Sequence, residues 1–222
     1  MRPIRLRLLA YILLFLAVHA EAIVRSPRPY GTALMWRILG KKVRARGQFA
    51  PLLSGTYFSY PLWALRNAQQ RVPSVPATPP IVALVDAREQ GAGVQQSLAS
   101  LEAEGLQAFV IADDVCSDIQ RAATVIDWTR EPWLLLVRAG DELAPGAAAL
   151  YREAIAGTSA DVVYADDDTL GLLGQRKSPY FKPSWNAELY QHYDYLRGAC
   201  ILRVHEDDVT DAAEAQDWVK AL

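Results

Sequence analysis

Aspartates recur at the ends of apolar runs in the second half of this 222-residue chain. Asp113-Asp114 follow the run Ala108 to Ala112. Asp141 follows Trp133 to Val137 across the turn Arg138-Ala139-Gly140, and Asp166-Asp167-Asp168 follow Asp161 to Ala165. Carboxylates in such places can hold a hard cation or accept hydrogen bonds from a hydroxyl-rich ligand. Single aspartates there also cap helices or solvate turns, but three strand ends of one kind in succession favour a ligand. Other chemistries are poorly provided for. Cys116 and Cys200 are too far apart in sequence for a zinc or disulfide framework, and His19, His192 and His205 lack metal-ligand spacing.

The elements that must position these carboxylates alternate. Ile81 to Val85 is a short apolar run suited to a buried parallel strand. Val94, Leu98 and Leu101 share a helical face between Gly93 and Gly105, and the latter glycine suits a helix end. Pro145 is expected to start a further helix with Leu150, Tyr151 and Ile155 on its apolar side, and Gly157 to stop it. Such alternation predicts right-handed crossovers, a mainly parallel sheet flanked by helices, and a ligand beyond the carboxyl ends of the strands.

The amino-terminal third is different. Arg2, Arg5, Arg7, Arg25, Arg28, Arg37, Lys41, Lys42, Arg44 and Arg46 make the first fifty residues basic, although the whole chain is nearly neutral at −2 and offers no electrostatic case for nucleic acid. The apolar run Leu8 to Val18 falls short of the roughly 20 residues of a transmembrane helix unless His19 to Val24 is included. It can be a cleaved signal, an interfacial anchor on anionic lipid, or a helix packed on the globular domain. Leu34, Ile38 and Leu39, then Leu62 and Leu65, have the spacing of short amphipathic helices covering an apolar surface. Pro73, Pro76, Pro79 and Pro80 mark a linker. The expected organisation is a helical extension over 1–72, a linker over 73–80 and an α/β domain over 81–222.

Several stretches resemble the family 2 nucleotide-sugar glycosyltransferases of GT-A type that build cell-surface polysaccharide. Val110 to Asp118, VIADDVCSD, is similar to the family's "DDxSxD" segment. Leu134 to Pro145, LLLVRAGDELAP, is similar to "LLDADDELAP", and Val162 to Trp185 is similar to "YSDED…G.R..P.FKPDW". Ala215-Gln216-Asp217-Trp218 is similar to the "QDWDL" segment that carries the family's catalytic base. The resemblance covers about two thirds of the chain and implies a Rossmann-like GT-A sheet.

It also implies inverting transfer of a sugar from a nucleotide diphosphate to a hydroxyl of a glycan or lipid-linked saccharide, at the cytoplasmic face of a membrane. Cleavage of residues 1–22 would instead imply a secreted or periplasmic protein. Asp217 would be general base. Asp114, with Asp113, would hold the donor's base or ribose, and Asp141 and Arg138 would approach its diphosphate. Asp166, Asp168 and Lys182 would line the cleft. Arg138 and Gly140 stand where the family has two metal-binding aspartates, so a Mg²⁺ or Mn²⁺ site would fall to Asp141, Asp166 and Asp168. That loss, with the short interval from Asp114 to Trp133, leaves a second expectation open: a membrane-associated, non-catalytic relative that binds a glycan or a partner enzyme.

Overall fold

The computed structural model describes residues 2–67, 79–88, 92–171, 174–196 and 198–213. Four helices come first: α1 (Arg2–Arg25), α2 (Pro27–Ile38), α3 (Lys42–Ser54) and α4 (Ser59–Asn67). There follow β1 (Ile81–Asp86), α5 (Val94–Ala103), β2 (Gln107–Ile111), α6 (Val115–Val125), β3 (Trp133–Arg138) and α7 (Ala147–Ala156). The remaining elements are β4 (Val162–Tyr164), β5 (Asp167–Leu170), β6 (Arg176–Tyr180), α8 (Ala187–His192), β7 (Cys200–Arg203) and α9 (Glu206–Ala213).

The chain divides into two compact units. One comprises Met1–Gln70 with Asp168–Tyr180, and the other Arg71–Asp167 with Phe181–Leu222. From Asp168 onward the β5–β6 hairpin, inside the segment expected to form the α/β domain, therefore belongs with the amino-terminal helices, where β6 packs on α4. The expected linker over 73–80 lies mostly outside the described residues.

The α/β unit holds a five-stranded sheet in the order β2-β1-β3-β7-β4. β1 pairs in parallel with both β2 and β3, while β7 runs antiparallel to β3 and to β4. Leu135 of β3 and Val163 of β4 both face Ile201 of β7, so β4 points the same way as β3. The carboxyl ends of β2, β1, β3 and β4 thus share one edge, as the alternation predicted. β1 lies inside the sheet, between β2 and β3, and is buried on both faces. Ile81, Ala83 and Val85 point to a core completed by Leu101, Trp133, Leu135, Tyr151, Ile155 and Ile201. Val82 and Leu84 point the other way, to Ile119, Ala122, Leu134 and Val209.

Several local expectations are corrected. α7 has Gly146 as its N-cap, so Pro145 lies just outside the helix, although Gly157 does end it. Leu150 is exposed while Ala148, Tyr151 and Ile155 are buried. The i, i+3, i+7 spacing of those three defines the seam, and Leu150 sits about 100° before Tyr151 around the helix. Asp166-Asp167-Asp168 is not a strand-end loop throughout, since Asp167 already begins β5. In the helical unit, Leu34, Ile38 and Leu39 face solvent, and Ala33 is the α2 residue that is buried. The apolar amino-terminal run does not stop at Val18. α1 continues without a break to Arg25, and Leu8–Arg25 is long and apolar enough to cross a membrane.

Candidate functional site

The edge formed by the carboxyl ends of the strands is organised from beneath by α5. Its residues Ser97 and Ser100, with Glu104 at its C-cap, recur at helical spacing on the side that faces the segment after β3. The buried Ser97 hydroxyl donates to the Asp141 carbonyl at 2.7 Å and accepts from the Gly140 amide at 2.9 Å. Ser100 accepts from the Leu143 amide. Glu104 accepts from the amides of Gly146 and Ala148, placing a negative charge on the free N–H groups at the start of α7. Gln96 also donates to Glu142. At the tightest point a Cβ on Gly93 would lie 2.7 Å from the Gly140 Cα. Gly140 itself has φ +98°, a conformation that an aspartate at that position would adopt only with strain. The turn Arg138 to Asp141 is thereby fixed by groups other than its own side chains.

Those side chains are what the site presents. Arg138 is exposed, and among the described residues its guanidinium has neither a hydrogen bond nor a salt bridge. Asp141 is accessible as a residue, yet its carboxyl group is shielded enough by surrounding protein to be pushed above the usual carboxylate range. Arg138 opposes that shift and Asp167 adds to it. Across the β1–β3 pairing, Asp86 stands directly opposite Arg138. The Asp86 carboxylate is gripped by Arg88 through Nε at 2.9 Å and Nη2 at 2.8 Å, and is held below the carboxylate range by that bond first, with Arg138 a smaller contributor. Two arginines and two carboxylates therefore alternate around the ends of the central strands.

Asp86, Arg88 and Ser97 were not singled out from the sequence, and Asp167 only as a member of the strand-end cluster. The signal for Asp86 was available, because the first apolar run, like the others, ends on an aspartate. Nothing in the sequence marks Ser97.

Of the other expected residues, Asp114, Asp166, Lys182 and Asp168 have internal partners. Asp114 is the N-cap of α6, accepting from the Ser117 amide at 3.1 Å and hydroxyl at 2.7 Å, and these bonds lower its pKa. Neighbouring Asp113 is exposed, and no side-chain partner is found for it among the described residues. Asp166 accepts from the Lys182 amide at 2.8 Å. The Lys182 side chain is only 1 % exposed. Its ammonium donates to the Gly198 carbonyl at 2.7 Å and pairs with Asp167 at 3.2 Å. Lys182 therefore tethers Asp167 to the left-handed pair Gly198 and Ala199, at φ +75° and +44°, that leads into β7.

Asp168 belongs to the helical unit. There its carboxylate accepts from the Tyr60 hydroxyl at 2.6 Å and from Arg176 Nε at 2.6 Å. Among the described residues no three His, Cys, Asp or Glu side chains are gathered to hold a metal. Asp217 lies outside the described residues.

Comparison with known proteins gives one partial similarity. Over 66 residues, 29 % of the chain, it is 36 % identical to the O-antigen biosynthesis protein RfbC of Myxococcus xanthus. The match covers 5 % of that much longer protein. No protein-family model matches the chain. No solved structure matches it either.

Proposed function

We propose that the α/β unit is a GT-A glycosyltransferase of polysaccharide assembly, inverting, with a nucleotide-diphosphate sugar as donor and a glycan or lipid-linked saccharide as acceptor. The observation that carries this reading is Arg138, an exposed guanidinium without a hydrogen bond or salt bridge among the described residues, on a turn at the carboxyl-end edge of a mainly parallel sheet whose backbone is held by a buried hydroxyl. The similarity to an O-antigen biosynthesis protein and the motifs around it support the same chemistry.

In this reaction an acceptor hydroxyl attacks the anomeric carbon as the bond from that carbon to the diphosphate oxygen breaks. Arg138 meets the charge that develops on the departing diphosphate, for which a planar guanidinium is well shaped. Asp141, alongside it, receives hydroxyls of the sugar or ribose, and Asp113 and Asp114 lie on the base side. Asp217 takes the acceptor proton. No step is assigned to a metal.

Calorimetric titration with UDP-, GDP- and dTDP-sugars, with and without Mn²⁺, tests the proposal. One donor class binds, and Arg138→Ala weakens it about 10- to 100-fold, the value of a charge-assisted hydrogen bond. Absence of binding to every donor rejects it. A second reading is favoured by a different observation: Asp86, Asp114, Asp166 and Asp168 are all engaged by internal donors. A non-catalytic relative that binds a glycan or a partner enzyme would retain such carboxylates for structure alone. Glycan binding without donor binding selects that reading.

A further inference from the structure

We propose that the helical unit is a docking surface for an anionic lipid bilayer, and that α1 lies in the plane of one leaflet instead of crossing it. α1 has two sides. On one, Val18 and Ala22 are buried against the other helices, His19 Nδ1 is 2.9 Å from the Tyr30 hydroxyl, and Glu21 accepts from the Tyr57 amide at 2.9 Å and from Arg25. On the other, Leu9, Ile12, Leu13, Leu16, Ala20 and Ile23 recur at helical spacing and are all exposed, Leu13 to 58 % and Leu16 to 56 %. No polar side chain interrupts that strip. A second apolar contact of the same kind lies at the α2–α3 turn, where Ile38, Leu39 and Val43 are exposed around Lys41 and Lys42.

Charge decides what covers these surfaces. Residues 1–70 carry eleven Lys and Arg against Glu21 as the one acidic side chain. A second copy of so basic a unit would be repelled, whereas anionic headgroups are attracted to it, and an apolar strip beside basic residues is the pattern of an interfacial helix. The length of α1 alone would allow a span. Packing argues against one. Glu21 and Arg25 are tied to Tyr57 and Gly55, and His19 to Tyr30, within the helices that also carry Arg28, Arg37, Lys41, Lys42 and Arg46. A crossing α1 would either break those bonds or draw the cations into hydrocarbon.

The test uses the full chain with vesicles of phosphatidylcholine alone and with added phosphatidylglycerol, read by flotation. Binding is expected on the anionic vesicles, at least about tenfold weaker on the neutral ones, and weakened by salt. The double substitution Leu13→Glu with Leu16→Glu, at exposed positions, removes it while circular dichroism stays unchanged. Lys41→Glu with Lys42→Glu reduces it without touching α1. Equal, salt-insensitive binding to both compositions overturns the proposal. So does gel-filtration dimerisation abolished by the α1 substitutions in a chain that ignores vesicles. Retention of the wild-type chain in membranes washed with alkaline carbonate identifies a span and overturns the in-plane placement. None of these outcomes depends on the proposed transferase activity.

Discussion

The Ser97 hydroxyl and the Asp141 carbonyl, 44 residues apart in sequence, are joined by a 2.7 Å hydrogen bond, and the same hydroxyl receives the Gly140 amide. A buried group on α5 thus sets the backbone from which Arg138 and Asp141 project. Ser97→Ala leaves that amide and that carbonyl without their partner. A loss of about 1–3 kcal/mol in chemical denaturation is expected, and donor binding falls with it although Ser97 itself faces no ligand. Ser97→Thr, which keeps the hydroxyl, recovers part of both.

Asp114 separates a structural role from a ligand role by rescue. Asp114→Ala lowers the melting temperature, because α6 loses the acceptor for the Ser117 amide. Asp114→Ser restores the cap and the melting temperature. Donor affinity that stays low in Asp114→Ser assigns the carboxylate to the ligand as well, and full recovery assigns it to the helix alone.

Asp86 and Asp141 give opposite pH dependences. The folded-state pKa of Asp86 is lowered, so its contribution is fully present above the unfolded value of 3.8 and is lost as pH falls through the folded value. The folded-state pKa of Asp141 is raised, so the folded state binds its proton more tightly. Asp141 therefore costs stability as pH rises from 3.8 through its folded value and beyond. Denaturation midpoints of Asp86→Asn and Asp141→Asn across the acid range check this. The first variant flattens the acid loss of stability, and the second becomes more stable than wild type at neutral pH.

Lys182→Met removes a buried ammonium and leaves the Gly198 carbonyl and the Asp167 carboxylate without it. Asp167 is part-exposed and can recruit water, so the expected cost is about 1–3 kcal/mol, below that of breaking a fully buried pair. Urea denaturation measures it. A change under about 0.5 kcal/mol, the range of ordinary surface substitutions, would show that the tether contributes nothing.

In the helical unit, Asp168 is 5 % exposed and is shared between Tyr60 and Arg176. A double-mutant cycle with Tyr60→Phe and Asp168→Asn should give a coupling of about 1 kcal/mol, since both groups meet at one carboxylate oxygen. Asp217→Asn, by contrast, is expected to lower transfer by about 10² or more with donor affinity little changed, as removal of a general base does in single-turnover kinetics.

The sequence determined what depends on near neighbours. Apolar runs, the glycines at 105 and 157 and the strand-helix alternation from β1 to β4 established the mainly parallel sheet and the edge where its carboxylates fall, because burial and backbone preference act over a few residues. Basic residues crowded into the first fifty likewise gave the helical extension its charge. Tertiary structure decided which carboxylates are available. Asp114 and Asp168 read alike as members of strand-end clusters, yet one caps a helix three residues on and the other meets Tyr60, 108 residues away. Leu150 and Tyr151 are equally apolar neighbours, and only the approach of the sheet chose Tyr151 for the core. Hydrogen bonds between distant segments have no period along the chain, so the Ser97 anchor became visible only when α5 and the end of β3 were brought together.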